Sequence, residues 1–461
     1  MNTERSEMFG SMNVKKLLIK LAVPATLAMI FNALYNLVDT IFIAWGAGEI
    51  AIGALSIAYP IQMIVLALGA GIGVGSSSVF SRAYGRGDEK TMRRVVNTAL
   101  MMNFLLAAFV SIATFIFLDP ILNLFGASPS NYAYAKSYLQ IILIALIPFS
   151  LSITLNNLTR AEGRPKIAMK ALIIGAVINI ILDPLFIFDF GLGLGVAGAA
   201  YATAIAKSAQ FVYIMVKGLS KDSSLIIDLK TIYKVDLKIF KEVVAVGIPT
   251  FVRQSLGALL IIVVNNLINK YAPADPAIYI SIYGVINRLI RFTLMPGFGL
   301  VQGLVPIVGF NFGAQFFKRL HDVIAYASKL LLIYFASTTV LVLLFAEYFF
   351  MIFSPESDPF FIAEGAKAFR MVSLGFGFIT FQVILSGVYQ AMGYPIRAFF
   401  VALSRRFILY IPIAFLLSWL IGIDGIWLTF FLADTIAGLL SFVVYYFEMK
   451  ELKTKIVEKG V

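Results

Sequence analysis

The chain has 461 residues, a formal net charge of +12 and no cysteine. Hydrophobic residues make up 60% of it and charged residues 13%, compared with roughly 25% charged residues in soluble domains. This composition excludes a soluble enzyme, and the lack of cysteine excludes disulfides, thiolate chemistry and cysteine metal sites. Repeated apolar segments of about 20 residues predict an all-α polytopic membrane protein.

The first apolar run extends from Leu21 to Trp45 and contains the carboxylate of Asp39. A carboxylate near the middle of a bilayer costs roughly 2.5 to 3.5 kcal/mol on insertion scales. Such groups usually face a protein interior, where they handle protons, ions or cationic ligands. Helical spacing places further polar residues on the face of Asp39, namely Asn32, Tyr35 and Asn36.

A second carboxylate, Asp183, lies in the apolar run from Leu172 to Phe188, the predicted fifth span. Gly175, Asn179 and Asp183 are four residues apart and therefore share one helix face. Spans 1 and 5 run in the same direction, so both aspartates reach similar depths on the outer side. We expect the two carboxyl groups to share one site.

Two close carboxylates repel each other in a low dielectric, so the pair is expected to hold a proton or a hard cation such as Na⁺. Asn179 and Thr203, the latter in span 6, would complete a Na⁺ site with Asp39 and Asp183. The alternative is structural, with a neutral, hydrogen-bonded aspartic acid tying two helices together. Lys207, also in span 6, is expected nearer the cytoplasm, where it can snorkel.

Basic residues cluster in alternate loops, at 82–94, 160–170 and 217–241 among others. The remaining loops are short and neutral or acidic. The positive-inside rule then predicts that both termini are cytoplasmic, which requires an even number of spans. We count about twelve.

The chain contains an internal repeat. Pro24 recurs as Pro249, and the turn Ala161-Glu162-Gly163-Arg164-Pro165 recurs as Ala391-Met392-Gly393-Tyr394-Pro395. With six spans in each half, the repeats have the same orientation. We predict an N-lobe over residues 1–218, a cytoplasmic linker over 219–238 and a C-lobe over 239–461, around a central cleft.

In the order and spacing of these landmarks the chain resembles the multidrug and toxic compound extrusion (MATE) family over nearly its whole length, as a prokaryotic or archaeal member. The acid that some branches carry in span 10 is absent, so the chain resembles the DinF-type (DNA-damage-inducible protein F) branch. The resemblance implies two six-helix bundles of the MATE/MOP fold. It also implies ion or proton coupling at Asp39, Asp183, Asn179, Thr203 and Tyr35, with a hinge at Pro24.

Polar and aromatic residues of the first half are typical of a drug cavity that holds cationic aromatic compounds by stacking and cation–π contact. We assign substrate binding to Asn32, Tyr35, Asn36, Tyr138, Asn156 and Asn157.

The second half has the opposite charge. Arg253, Arg288 and Arg291 lie within predicted spans, and Asp434 is the only deep acid. One interpretation is a buried charge network that fixes the C-lobe. The other is a site for an anionic or zwitterionic ligand.

These patterns predict a secondary-active antiporter of the cell membrane that exports cationic or amphipathic toxic compounds in exchange for H⁺ or Na⁺. We expect rocking-type alternating access with bending of helix 1, a monomer, no enzyme activity, no cofactor and no nucleic-acid partner. The alternatives are a lipid-linked precursor flippase that uses the cationic C-lobe, and a channel or scaffold.

Overall fold

The computed structural model describes the chain except for residues 1–2, 48, 126–131, 221, 228–234, 274, 354–358 and 459–461. The described residues form sixteen α-helices and one π-helical segment, Ser404–Leu409. The helices are α1 Thr3–Ser11, α2 Val14–Ala47, α3 Glu49–Arg86, α4 Glu89–Ile116, α5 Leu118–Leu124, α6 Tyr132–Ala161, α7 Pro165–Ile187, α8 Gly195–Gly218, α9 Leu237–Tyr271, α10 Pro276–Gly313, α11 Phe317–Met351, α12 Pro359–Ser373, α13 Phe376–Met392, α14 Pro395–Leu403, α15 Tyr410–Ile421 and α16 Ile423–Glu458.

The predicted membrane-spanning architecture is confirmed in the part of the chain that the structure describes. Nine segments are long and apolar enough to cross a membrane, one of them formed by α14, the π-helical segment and α15. Helices α12 and α13 meet at a bend of 49° and make a tenth. Helices α8 and α9, with 24 and 35 residues, bring the number of long helical segments among the described residues to twelve.

The repeated sequence turn has a repeated backbone. Gly163 (φ +87°) and Gly393 (φ +79°) adopt the left-handed conformation after α6 and after α13. Glycine takes this conformation without a steric penalty, and it ends the helix. Pro165 and Pro395 then begin α7 and α14, where the missing N–H has no helical partner to lose.

The two halves touch closely at one end of the bundle. We call it the basic end, because the basic loops after α3, α6 and α8 lie there. A Cβ atom added to Gly75 of α3 would overlap the carbonyl oxygen of Val243 in α9. One added to Gly303 of α10 would lie 2.6 Å from the Cα of Ala22 in α2. Glycine therefore lets backbones of the two halves meet without side chains between them.

Polar contacts join the halves at the same end. Arg82 Nη1 lies 2.9 Å from Glu242 Oε1. Ser78 donates to the Gln390 carbonyl and, at 3.1 Å, to the carbonyl of Ala391. The basic end is thus closed by backbone contact and by an ion pair.

The N-terminal helix α1 lies across this closure. Phe9 is fully buried, with its ring 5.1 Å from that of Phe310 and 6.2 Å from that of Tyr84. Arg319 Nη2 donates to the carbonyls of Phe9 at 2.9 Å and Met12 at 2.6 Å. Helix α1 and the residue after it therefore contact residues of both halves.

Replacing Gly75 by valine is expected to part the halves at the basic end, because valine cannot fit against Val243. Since the chain has no cysteine, a single Ser78→Cys probe can report this opening. Ser78 is fully buried, so the cysteine should react slowly with a water-soluble maleimide in the parent and at least several-fold faster in the Gly75→Val background.

Gly284→Ala is the matched control, because a Cβ atom at Gly284 meets no atom within 4 Å. Equal labelling rates in the Gly75→Val and Gly284→Ala backgrounds would contradict this account of the closure.

Candidate ion and substrate site

The structure brings the two predicted aspartates together. The carboxyl groups of Asp39 on α2 and Asp183 on α7 lie within hydrogen-bonding reach of each other. Asp183 is fully buried, whereas Asp39 is partly exposed. Because two adjacent carboxylates repel each other in a low dielectric, this arrangement requires a cation or a shared proton.

Asn179 and Thr203 surround the carboxyl pair as expected. Asn179 Nδ2 donates to Asp183 Oδ1 at 2.9 Å and to Thr203 Oγ1 at 3.4 Å. Three buried oxygens here have no hydrogen-bond partner among the described residues, namely Asp39 Oδ1, Asp183 Oδ2 and Asn179 Oδ1. Buried oxygens are normally satisfied, so this set has the chemistry to accept a proton or to coordinate a hard cation.

Lys207 belongs to the site, and the expectation that it snorkels is wrong. Its side chain is buried, with Nζ 4.3 Å from the ring centre of Tyr35 and 4.8 Å from that of Phe149. It also interacts electrostatically with Asp39. The sequence contained the signal, because Lys207 lies four residues after Thr203 and so on the same face of α8.

Tyr138 closes another side of the site. It is 4% exposed, accepts a hydrogen bond from Gln62 Nε2 at 3.4 Å and lies within electrostatic range of both aspartates. Sequence reasoning missed Gln62, a lone polar residue in the apolar part of α3. Asn32 and Tyr35 are partly exposed on α2, while the side chain of Asn36 lies outside the described residues.

No hydrogen bond among the described residues joins Asn156 or Asn157 to this group, and their assignment to substrate binding stays a prediction. Asn156 Nδ2 donates to the Ala168 carbonyl at 2.8 Å, and its Oδ1 accepts from Arg160. Arg160 also donates to Asn157 Oδ1 at 3.0 Å. Both amides therefore stabilise a buried arginine near the basic end of α6.

Pro24 lies inside α2, which runs as one helix from Val14 to Ala47. Its pyrrolidine ring removes a backbone donor from that helix. The hinge role stays a prediction.

The expected charge network of Arg253, Arg288, Arg291 and Asp434 stays a prediction, and the structure adds a partner to it. Asp434 pairs with Arg405, whose Nη2 lies 3.0 Å from Asp434 Oδ2. Arg288 and Arg291 are exposed on α10 rather than buried. Sequence reasoning missed Arg405, because it stands beside Arg406 and near Arg397, as the charges of a basic loop do.

A polytopic helical bundle with opposed carboxyl groups and a buried lysine inside one half is the architecture of a membrane transporter. A family model described as MatE matches the chain twice, over residues 24–185 and 249–416. The chain belongs to this family. Both matches begin at the prolines that mark the repeat, and membership confirms that the protein is a transporter and not an enzyme.

Relatives and solved structures agree over nearly the full length. The multidrug export protein MepA of Staphylococcus haemolyticus (strain JCSC1435) is 27% identical over 449 residues, which cover 97% of this chain and 96% of that protein. The MATE multidrug transporter DinF-BH, solved as a complex with a ligand, is 34% identical with a TM-score of 0.84, over 95% of this chain and 96% of that one. An outward-facing MATE family transporter of the MOP superfamily has a TM-score of 0.88 at 23% identity, over 96% of this chain and 97% of that one.

Lys207 and Asp39 are expected to depend on each other for stability. Lys207→Met removes the cation near Asp39, and Asp39→Asn removes the charge that the cation compensates. Interacting residues couple by roughly 0.5 to 3 kcal/mol. The apparent melting temperature in detergent should therefore fall less in the double variant than the sum of the decreases in the two single variants. Lys166→Met, an exposed lysine at the basic end, serves as the control and should be additive with Asp39→Asn. Additivity for Lys207 as well would refute the electrostatic coupling.

Proposed function

We propose that the protein is a secondary-active multidrug efflux antiporter that exports cationic or amphipathic toxic compounds in exchange for an ion bound at Asp39 and Asp183. The observation that carries the proposal is the contact of these two carboxyl groups beside buried oxygens that have no hydrogen-bond partner in the described part of the chain. The multidrug function of the MepA and DinF-BH relatives supports the substrate class. The partly exposed Asn32 and Tyr35 would meet the substrate in the cleft.

The coupling ion is H⁺ in this proposal, with Na⁺ as the alternative. Two ionised aspartates and the Lys207 ammonium leave the site with one net negative charge. A single proton shared between the carboxyl groups neutralises that charge without displacing Lys207. A Na⁺ ion would instead be repelled by the Lys207 ammonium, which lies within electrostatic range of Asp39.

Transport would proceed by alternating access, with the two lobes on either side of the 219–238 linker rocking against each other. By the positive-inside rule the basic end faces the cytoplasm. The contacts of Gly75 with Val243 and of Arg82 with Glu242 then form the cytoplasmic closure that must open for substrate to enter. Proton uptake would change the bend of α2 near Pro24 and so lower the affinity for substrate. One chain contains every element of this cycle, so we propose that it works as a monomer in the cell membrane.

A lipid-linked precursor flippase is the second candidate. It is favoured by one observation, the arginines Arg253 and Arg291 within electrostatic range of Arg406 in the second half, since arginine binds phosphate groups well.

Replacing either aspartate by asparagine should abolish gradient-driven export, because the amide cannot exchange a proton. The measurement is efflux of a fluorescent organic cation from proteoliposomes under separately imposed proton and sodium gradients. Asp189→Asn, an exposed residue after α7, is the control and should export at the parental rate. The assignment fails if Asp39→Asn and Asp183→Asn transport as fast as the parent. Export that follows only the sodium gradient would replace H⁺ by Na⁺.

Replacing Pro24 by alanine restores a backbone N–H donor to α2 and should slow export several-fold, because α2 then bends less readily. Equilibrium binding of the same cation should change by less than about twofold, since contacts in a given state are unchanged. Pro395→Ala, at the first turn of α14, is the matched control with little expected effect. Parental export rates in Pro24→Ala would remove α2 bending from the mechanism.

A further inference from the structure

The second half contains a cationic cluster that the ion site does not use. Arg406 lies within electrostatic range of Arg253 and Arg291, which come from α9 and α10. Arg405 and Asp434 also lie within this range. The guanidinium of Arg253 is 5.5 Å from the ring of Phe298. Three separate parts of the fold thus direct arginines to one place.

The positive charge of this cluster is not balanced by the described residues around it. Asp434, 3% exposed, is bound by Arg405 through two nitrogens and is therefore already neutralised. Arg253, Arg291 and Arg406 form no ion pair with a described residue. Uncompensated charge inside a membrane protein is costly and is generally found where it binds a ligand.

The backbone around Arg406 is also unusual. Ser404–Leu409 form a π-helical segment within an otherwise α-helical span. The extra residue per turn shifts the register, so that the consecutive Arg405 and Arg406 both lie inside the lobe. Such segments are rare and frequently occur at functional sites.

A buried hydroxyl without a hydrogen-bond partner among the described residues lies near Arg405, the neighbour of Arg406 in the chain. Tyr410 is 3% exposed, and its hydroxyl has no partner among the described residues. It lies within electrostatic range of Arg405 and Asp434, while its ring packs on Phe430 at 4.7 Å. A buried hydroxyl is normally satisfied, so this one is available to donate to a bound group.

The cluster is accessible from one side. Gly284, Arg288 and Arg291 are exposed and lie on one face of α10, spaced four and three residues apart. Guanidinium groups at this depth face water rather than hydrocarbon. The exposed face of α10 is therefore open to water.

We propose that Arg253, Arg291 and Arg406, with the Tyr410 hydroxyl, bind an oxyanion of the substrate, a carboxylate or a phosphate. The protein would then select zwitterionic substrates. Asp39 would hold their cationic end, and the arginines would hold their anionic end. Binding of the cationic end at Asp39 rests on the proposed transport function, whereas binding of the oxyanion does not. Arginine forks match both oxyanions in geometry.

Two dyes that differ in one group test the proposal. Rhodamine B carries a free carboxylate, and its ethyl ester lacks that negative charge. Arg406→Gln and Arg291→Gln should each weaken rhodamine B binding to the purified full-length protein about tenfold, the effect of losing one hydrogen bond to a charged group. Binding of the ester, followed by the same fluorescence anisotropy titration, should change by less than about twofold.

Controls separate this effect from misfolding. Arg93→Gln, an exposed arginine at the basic end, should bind both dyes like the parent. Arg406→Lys keeps the charge and should retain most rhodamine B binding. Arg291 is exposed, so Arg291→Gln keeps the test valid even if Arg406→Gln fails to fold. The proposal is wrong if both glutamine variants lose the two dyes equally or bind both normally.

Competition identifies the source of the oxyanion. Displacement of rhodamine B by inorganic phosphate points to a free oxyanion, and displacement only by dihexanoyl phosphatidic acid points to a lipid headgroup. These binding titrations use no ion gradient. Asp39→Asn with unimpaired export would therefore overturn the coupling proposal and leave the oxyanion site standing.

Discussion

Mutual repulsion between two carboxyl groups is the constraint on which the first half of this protein depends. Asp39 and Asp183 approach within hydrogen-bonding reach in a region from which bulk water is largely excluded. Their helices can pack this way only if a positive charge stays nearby. Lys207 supplies part of that charge from α8, and aromatic rings hold its ammonium in place. The remaining positive charge must come from a proton or a cation that binds and dissociates. Occupancy of the site therefore depends on the concentration of that ion.

The two halves share a fold but differ in electrostatics. A repeated turn, built on a left-handed glycine and a helix-starting proline, gives both halves the same chain path. The interior charges then diverge, with paired acids in the first half and excess arginine in the second. Duplication of the scaffold therefore leaves each half free to acquire its own chemistry, as expected when function lies in sites placed on a common fold.

Much of the fold and the centre of the site could be predicted from the sequence. Helical periodicity places Asn179 and Asp183 on one helix face. Because spans 1 and 5 run in the same direction, Asp39 reaches the same depth as Asp183. Contacts between helices were harder. The depth of Lys207 was hard to predict because its apolar stem fits two depths equally well. The pairing of Asn156 and Asn157 with Arg160 was hard to predict because Arg160 falls within a basic loop cluster. Arg405, the partner of Asp434, lies in a π-helical segment that no periodicity reveals.

The burial of Phe9 couples the beginning of the chain to the state of the whole molecule. Its ring lies between Tyr84 and Phe310, which come from opposite halves. Burying a phenylalanine side chain is worth roughly 1.5 to 3 kcal/mol, enough to shift a balanced two-state equilibrium by at least tenfold. When the halves part, α1 must detach or follow one of them. A substitution that loosens the packing of Phe9 would therefore favour the parted state without touching the ion site.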